Sequence, residues 1–150
     1  MIRLSRKSLL ALEAVLDVAL NARPDPVQAR EITARQGVPQ RYLEQVMQAL
    51  VRAGILRGVR GPRGGYRLAR ERRRISVREI FEVIEEIDGG DMDGLSQSDL
   101  GQNIIAPFHG KMQDALIGAV GDTTIADLCS QAGADNGTSV QNKDSGDFTI

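Results

Sequence analysis

A chain of 150 residues is long enough for one hydrophobic core with an appendage, and its single cysteine, Cys129, excludes an internal disulfide framework. Aromatic residues make up only 3% of it, so aliphatic side chains must do the packing, which suits a small helical fold better than a large sandwich. The formal charge of -1 conceals an asymmetry, because residues 1–87 hold 17 Lys and Arg against 10 Asp and Glu while residues 88–150 hold 2 against 10. A basic body with an acidic tail region points towards nucleic acid, with a merely solvated charged face as the plainer alternative.

In chain order, Leu9, Leu12, Leu16 and Ala19 form a helical stripe that predicts a first helix over Ser8–Ala22, ended by Pro24 and Pro26. That apolar run contains Glu13 and Asp17 and is too short to span a bilayer, and no signal peptide is visible, so a soluble cytoplasmic protein with no membrane role is expected. A short second helix is predicted from about Gln28 to Gln36, with Ile32 inward and Gly37 in the left-handed stop position. The third, Gln40–Ala53, carries Leu43, Val46, Met47 and Leu50 on one face and is closed by Gly54.

Leu56–Val59 and Tyr66–Leu68 flank a turn holding Gly61, Pro62, Gly64 and Gly65, which reads as a β-hairpin with Arg60 and Arg63 at its tip. From Arg52 to Arg78 there are ten arginines against one acid, Glu71, and such an excess implies a polyanionic partner. Two helices joined by a glycine turn and followed at once by a hairpin make a winged helix-turn-helix, whose second helix enters the major groove. The face left for the groove is Gln40, Arg41, Glu44, Gln45 and Gln48. Gln suits adenine, Arg suits guanine or phosphate, and Glu accepts from cytosine. The hairpin adds Arg57, Arg60, Arg63, Tyr66 and Arg67 to the candidate DNA-binding set.

Ser76-Val77-Arg78-Glu79 is a capping box that starts a fourth helix burying Val77, Ile80, Phe81, Ile84 and Ile87 and stopped by Asp88-Gly89-Gly90. Asp91–Asn103 is expected to be a loop. A fifth helix is predicted from Pro107 to Val120 with Phe108, Met112, Leu116 and Ala119 on one stripe, and Gly110 and Gly118 leave it in need of a packing partner, expected to be the same helix of a second subunit, with packing back on its own domain as the alternative. Thr124–Cys129 adds a helical turn, and beyond Ser130 the polar chain is expected to be disordered. The fold class is therefore mainly α with a small β-wing: a winged helix-turn-helix domain (1–87), a loop (88–103), a dimerisation helix with a short helical turn (104–129) and an acidic tail (130–150).

Ala11–Leu20 (ALEAVLDVAL), Tyr42-Leu43-Glu44-Gln45, Arg60-Gly61-Pro62 with Gly64-Gly65-Tyr66-Arg67-Leu68, Ile75-Ser76-Val77 and Thr124–Leu128 (TIADL) resemble the Rrf family of winged-helix repressors, the IscR, NsrR and CymR type, over about residues 1–129. The resemblance implies a homodimer on a palindromic operator in double-stranded DNA, with the long penultimate helix as the seam, Gln40, Arg41 and Glu44 at base edges, and Arg60 in the minor groove. Cluster-bearing members hold iron and sulfur through three cysteines before the dimer helix, in some cases with a histidine. Here Asp88–Pro107 has no cysteine; the last cysteine position falls on Asn103 and the histidine position on Ala106. No iron-sulfur cluster and no other cofactor or metal is therefore expected.

The terminal Asp147-Phe148-Thr149-Ile150 resembles the C-terminal peptides of serine acetyltransferases, which insert a final Ile and carboxylate into O-acetylserine sulfhydrylase (cysteine synthase). Because the cysteine-metabolism branch of the family lacks the cluster cysteines and works with that enzyme, the resemblance makes it a candidate partner. Two other functions stay open: an RNA-binding protein using the G-x-x-G of Gly61–Gly64, and a protein-interaction module acting through the tail. No catalytic constellation is present around the lone His109, so the chain is not expected to be an enzyme.

Overall fold

Ser5 opens the first helix, α1 (Arg6–Asn21), with its hydroxyl accepting from the Ser8 backbone N–H at 3.1 Å. The computed structural model of the chain describes residues 5–87 and 96–133. The side of α1 turned to the core is rotated from the predicted stripe: Ala19 is buried as predicted, but Leu9 is 49% exposed and Ala11, Ala14, Val15 and Val18 are buried instead. Small side chains let neighbouring backbones approach closely, so the alanine-rich side packs and the leucines Leu12 and Leu16 fall to its margin.

Helix α2 (Ala29–Gln36) begins with a reciprocal cap between Gln28 and Glu31 and ends at Gly37, whose φ of 70° is the left-handed turn the sequence requires. Ile32 is fully buried, as predicted. A paired guanidinium–carboxylate contact joins α2 to α1, with Arg35 Nε donating to Asp17 Oδ2 at 2.6 Å and Nη2 to Oδ1 at 2.7 Å. The negative Asp17 holds the Arg35 guanidinium above its ordinary range. Helix α3 (Gln40–Arg52) buries Leu43, Val46, Met47 and Leu50 on the predicted face, together with Ala49. Gly54 then turns the chain at φ 76°.

Strands β1 (Leu56–Val59) and β2 (Gly65–Leu68) pair antiparallel, with Arg57 opposite Arg67 and Gly58 opposite Tyr66. Val27 extends this hairpin, donating to the Tyr66 carbonyl at 3.1 Å and accepting from the Tyr66 N–H at 2.7 Å. The wing is thereby stitched to the segment between α1 and α2.

After a 3-10 turn at Arg72–Arg74, helix α4 (Val77–Ile87) starts at the predicted capping box, with Ser76 N to Glu79 Oε2 and Glu79 N to Ser76 Oγ both at 3.2 Å. Val77, Ile80, Phe81 and Ile84 are buried, but Ile87, expected inside, is 36% exposed where the last turn runs past the core. The Asp88-Gly89-Gly90 stop lies outside the described residues, as does the chain from 134 onward, Asp147-Phe148-Thr149-Ile150 included.

The next helix begins earlier than predicted. Residues 99–100 are already helical and run through a π-turn (Gly101–Ile105) into helix α5 (Ala106–Val120), so the expected loop is shorter by several residues. Pro107 explains the wide turn: proline has no N–H to give to the fourth carbonyl back and its ring would crowd it, and a π-turn relieves both. Ser98 caps the start through the Gly101 N–H at 3.0 Å.

Thr123, Thr124 and Ile125 then return to the body. Val77 N donates to the Thr123 carbonyl and Ile125 N to the Ile75 carbonyl, each at 2.9 Å. Thr124 and Asp127 cap one another, opening a last helix, α6, over 125–133. Ile125 is fully buried and Cys129 is 6% exposed, so both complete the core beneath α1 and α4. Among the described residues no helix is long and apolar enough to cross a membrane.

Candidate nucleic-acid interface

Once Leu43, Val46, Met47 and Leu50 have turned inward, helical geometry leaves Gln40, Arg41, Gln45 and Gln48 in solvent and Glu44 half-buried beside them. Gln40 Nε2 donates to Glu44 Oε1 at 3.0 Å, so two of the five predicted reading residues hold each other before any partner arrives. Pre-ordering of this kind lowers the side-chain entropy lost on docking.

The wing stands against this helix. Tyr66 of β2 is half-buried, and burial first, then the negative charge of Glu44, push its phenol above the ordinary tyrosine range. Tyr66 thus stays neutral and lies within the field of the α3 face. Beyond it the strands run out to the tip, where Arg60 and Arg63 are exposed and make no hydrogen bond or ion pair with the described residues. Gly61, at φ 112°, is the turn residue that side chains rarely allow.

The two remaining basic residues of the hairpin differ. Arg57 is exposed and unpaired among the described residues, whereas Arg67 is turned inward, donating from Nη1 to the Ala22 carbonyl at 3.0 Å and from Nη2 to the Pro24 carbonyl. Two other arginines of the cluster act the same way. Arg72 donates to the Ala19 carbonyl, and Arg70 to the carbonyls of Gly54 and Arg74 and to Glu79. Carbonyls at a helix C-terminus carry negative partial charge, so these guanidiniums serve the end of α1 and the base of the wing.

One contact not visible in the sequence pattern lies at the start of α3, where the Lys7 ammonium sits 5.6 Å from the centroid of the Tyr42 ring. It places a cation from α1 beside α3. Only the meeting of two distant segments reveals it.

Metal-ligand chemistry has little to draw on. Among the described residues no three His, Cys, Asp or Glu side chains converge, the one thiol is buried in α6, and His109 faces Gln113 at 3.5 Å.

Comparison with known proteins agrees with this geometry. Residues 4–131 match the model of the Rrf2 family, described as an iron-dependent transcriptional regulator. The chain is 34% identical over 128 residues to the HTH-type transcriptional regulator IscR of Cronobacter sakazakii, covering 84% of this chain and 79% of that one. Among solved structures it is similar to IscR of T. potens (30% identity, TM-score 0.68, 87% of this chain and 88% of that one). It is also similar to CymR, the global cysteine regulator of B. subtilis (25% identity, TM-score 0.66, 87% and 98%).

Proposed function

We propose that this chain, which belongs to the Rrf2 family of transcriptional regulators, is a homodimeric repressor that reads a palindromic duplex with α3 and the wing. Membership makes it a DNA-binding regulator and not an enzyme. The observation that carries the finer proposal is the juxtaposition of a pre-ordered polar face on α3 with two unpaired arginines at the wing tip. Helix and wing address different grooves, the first supplying base-edge contacts and the second a cation for the narrow minor groove. Dimerisation is supported by an apolar stripe on the α5 arm, where Leu100, Ile104 and Phe108 are 72%, 59% and 57% exposed. The G-x-x-G of Gly61–Gly64 joins two paired strands, which removes the support for an RNA reading built on a loop between helices.

The family description implies iron, and the donor set does not fit an iron-sulfur cluster. Thiolates anchor such clusters, and this chain's single cysteine, Cys129, is buried in the hydrophobic core. We therefore assign operator binding to the cluster-free protein. On a duplex selected from a random pool, Arg60→Ala should weaken binding and Glu44→Ala should relax discrimination at one base pair, by ~1–3 kcal/mol per lost base contact. Added ferrous iron or a chelator should leave the parent's affinity unchanged. Parental affinity and specificity in both variants would reject this docking.

The solved relative named as a global cysteine regulator supports placing the regulator in sulfur metabolism, with O-acetylserine sulfhydrylase as partner of the Asp147–Ile150 terminus. Deleting Ile150 should abolish binding to the purified enzyme in a fluorescence titration. Equal affinity with and without Ile150 would dismiss the partner.

A further inference from the structure

Behind the wing, between the C-terminal end of α1, the outer face of the hairpin and the Arg72–Arg74 turn, lies a recess of about 550 Å³. Six arginines, Arg23, Arg57, Arg67, Arg70, Arg72 and Arg73, line it against one acid, Glu71. Among the described residues two of these six have a carboxylate partner: Arg73 pairs with Glu71 at 2.7 Å and Arg70 with Glu79 at 3.1 Å. Among the described residues the side chains of Arg67 and Arg72 meet only backbone carbonyls, while those of Arg23 and Arg57 meet no hydrogen-bond or ion-pair partner. The recess thus carries more positive charge than it neutralises. Three of the guanidiniums are held in place by carbonyls, so little rotamer entropy is left to lose when a ligand arrives.

The floor is of a different kind, formed by Ala22, Leu68 and, from α6, Ala126. Cations around an apolar floor suit a ligand with both characters. The geometry points to a binding site for a small free oxyanion of two or more charges, a phosphorylated or polycarboxylic metabolite with a short apolar portion. Guanidinium forks match both carboxylate and phosphate oxygens, and the volume lies within the range of small-molecule sites.

Strand alternation separates this recess from the reading face. Arg57 and Arg67 are cross-strand partners and project to one side of the hairpin, whereas Gly58 and Tyr66, the next pair, belong to the other side, where Tyr66 lies in the field of Glu44. A ligand here would hold Arg57 and Arg67 at the wing root and α1 and α6 behind it. The site is therefore placed to couple a metabolite to the wing, and it goes beyond the operator reading.

Calorimetric titration of the DNA-free full chain at constant ionic strength, with inorganic pyrophosphate and separately with citrate, tests it. At least one of the two probes should bind saturably, and the double substitution Arg23→Gln with Arg73→Gln should weaken that binding at least tenfold. Ala126→Phe, which fills the floor without changing charge, should do the same. No saturable heat with either probe, or unchanged binding in both variants, would overturn the site. Backbone phosphate is the other source of this chemistry, and the salt dependence of duplex binding separates it, since each phosphate contact contributes about 0.9 to the slope of log K on log salt. A slope unchanged in the double variant supports a free anion; one shallower by about two would seat DNA in the recess and overturn the inference. Because the calorimetry contains no DNA, its outcome is independent of whether the operator reading holds.

Discussion

Ile104→Asp combined with Phe108→Asp should turn the protein into a monomer in sedimentation analysis and lower its affinity for a full palindrome by at least ~100-fold, because two linked reading heads become two independent ones. Both side chains are more than half exposed in the single chain, so neither substitution removes packing from the protomer, and helicity and melting temperature of the monomer body should hold. Leu100, Ile104 and Phe108 are exposed, Met112 and Leu116 half-buried, and Val120 is 38% exposed, an apolar series in steps of four residues that winds slowly around α5. A self-pairing seam presents the same residues twice, so each aspartate would face its own copy or a near neighbour across the axis. Single half-sites should be bound equally by parent and variant. A variant that stays dimeric, or that binds the full palindrome as the parent does, removes this stripe from the interface.

The second large effect is expected at Gly65. A Cβ there would stand 2.4 Å from the Val27 carbonyl oxygen, a backbone atom that cannot swing aside. Gly65→Ala should therefore break the Val27–Tyr66 pair, at roughly 2–4 kcal/mol for the overcrowding and the two lost hydrogen bonds together. For a chain of this length that is about 5–15 °C in melting temperature. Operator affinity should fall as well, since the wing loses the anchor that aims Arg60. Gly58→Ala is the control: a Cβ on Gly58 meets nothing within 4 Å, and thermal melts of the pair should differ accordingly. Equal melts would mean that the hairpin is not held by Val27.

Much of this architecture is legible in the residues because it is local. The period of Leu43, Val46, Met47 and Leu50, the Ser76–Glu79 box and the left-handed Gly37 each depend on neighbours within a turn or two. Most of the failures are of longer range. Which side of α1 faces inward depends on how closely α4 can approach, and the alanines decided it against Leu9. The Val27–Tyr66 pairing and the Lys7–Tyr42 contact join segments that only the fold brings together. The π-turn before Pro107 depends on a continuing helix that a polar, glycine-bearing stretch does not announce.

The candidate site shows the same division. The α3 face could be named residue by residue because burial of one side determines the other. The arginine cluster could be counted but not apportioned: composition cannot say that Arg67, Arg70 and Arg72 turn to carbonyls while Arg60 and Arg63 remain free for a partner. A count of ten arginines therefore overstates what any single polyanion can engage.

The return of Thr123–Ile125 to the body also has a genetic consequence. Ile125 and Cys129 belong to the hydrophobic core, so a premature stop anywhere between α4 and α6 removes part of the interior, and one before α5 removes that helix as well. The shortened product would be an unfolded chain cleared by proteases rather than a lone DNA-reading head that competes with the intact protein. Nonsense alleles across that interval would then be recessive and equivalent to deletion, and dominant interference would have to come from substitutions on the reading face that leave the interior whole.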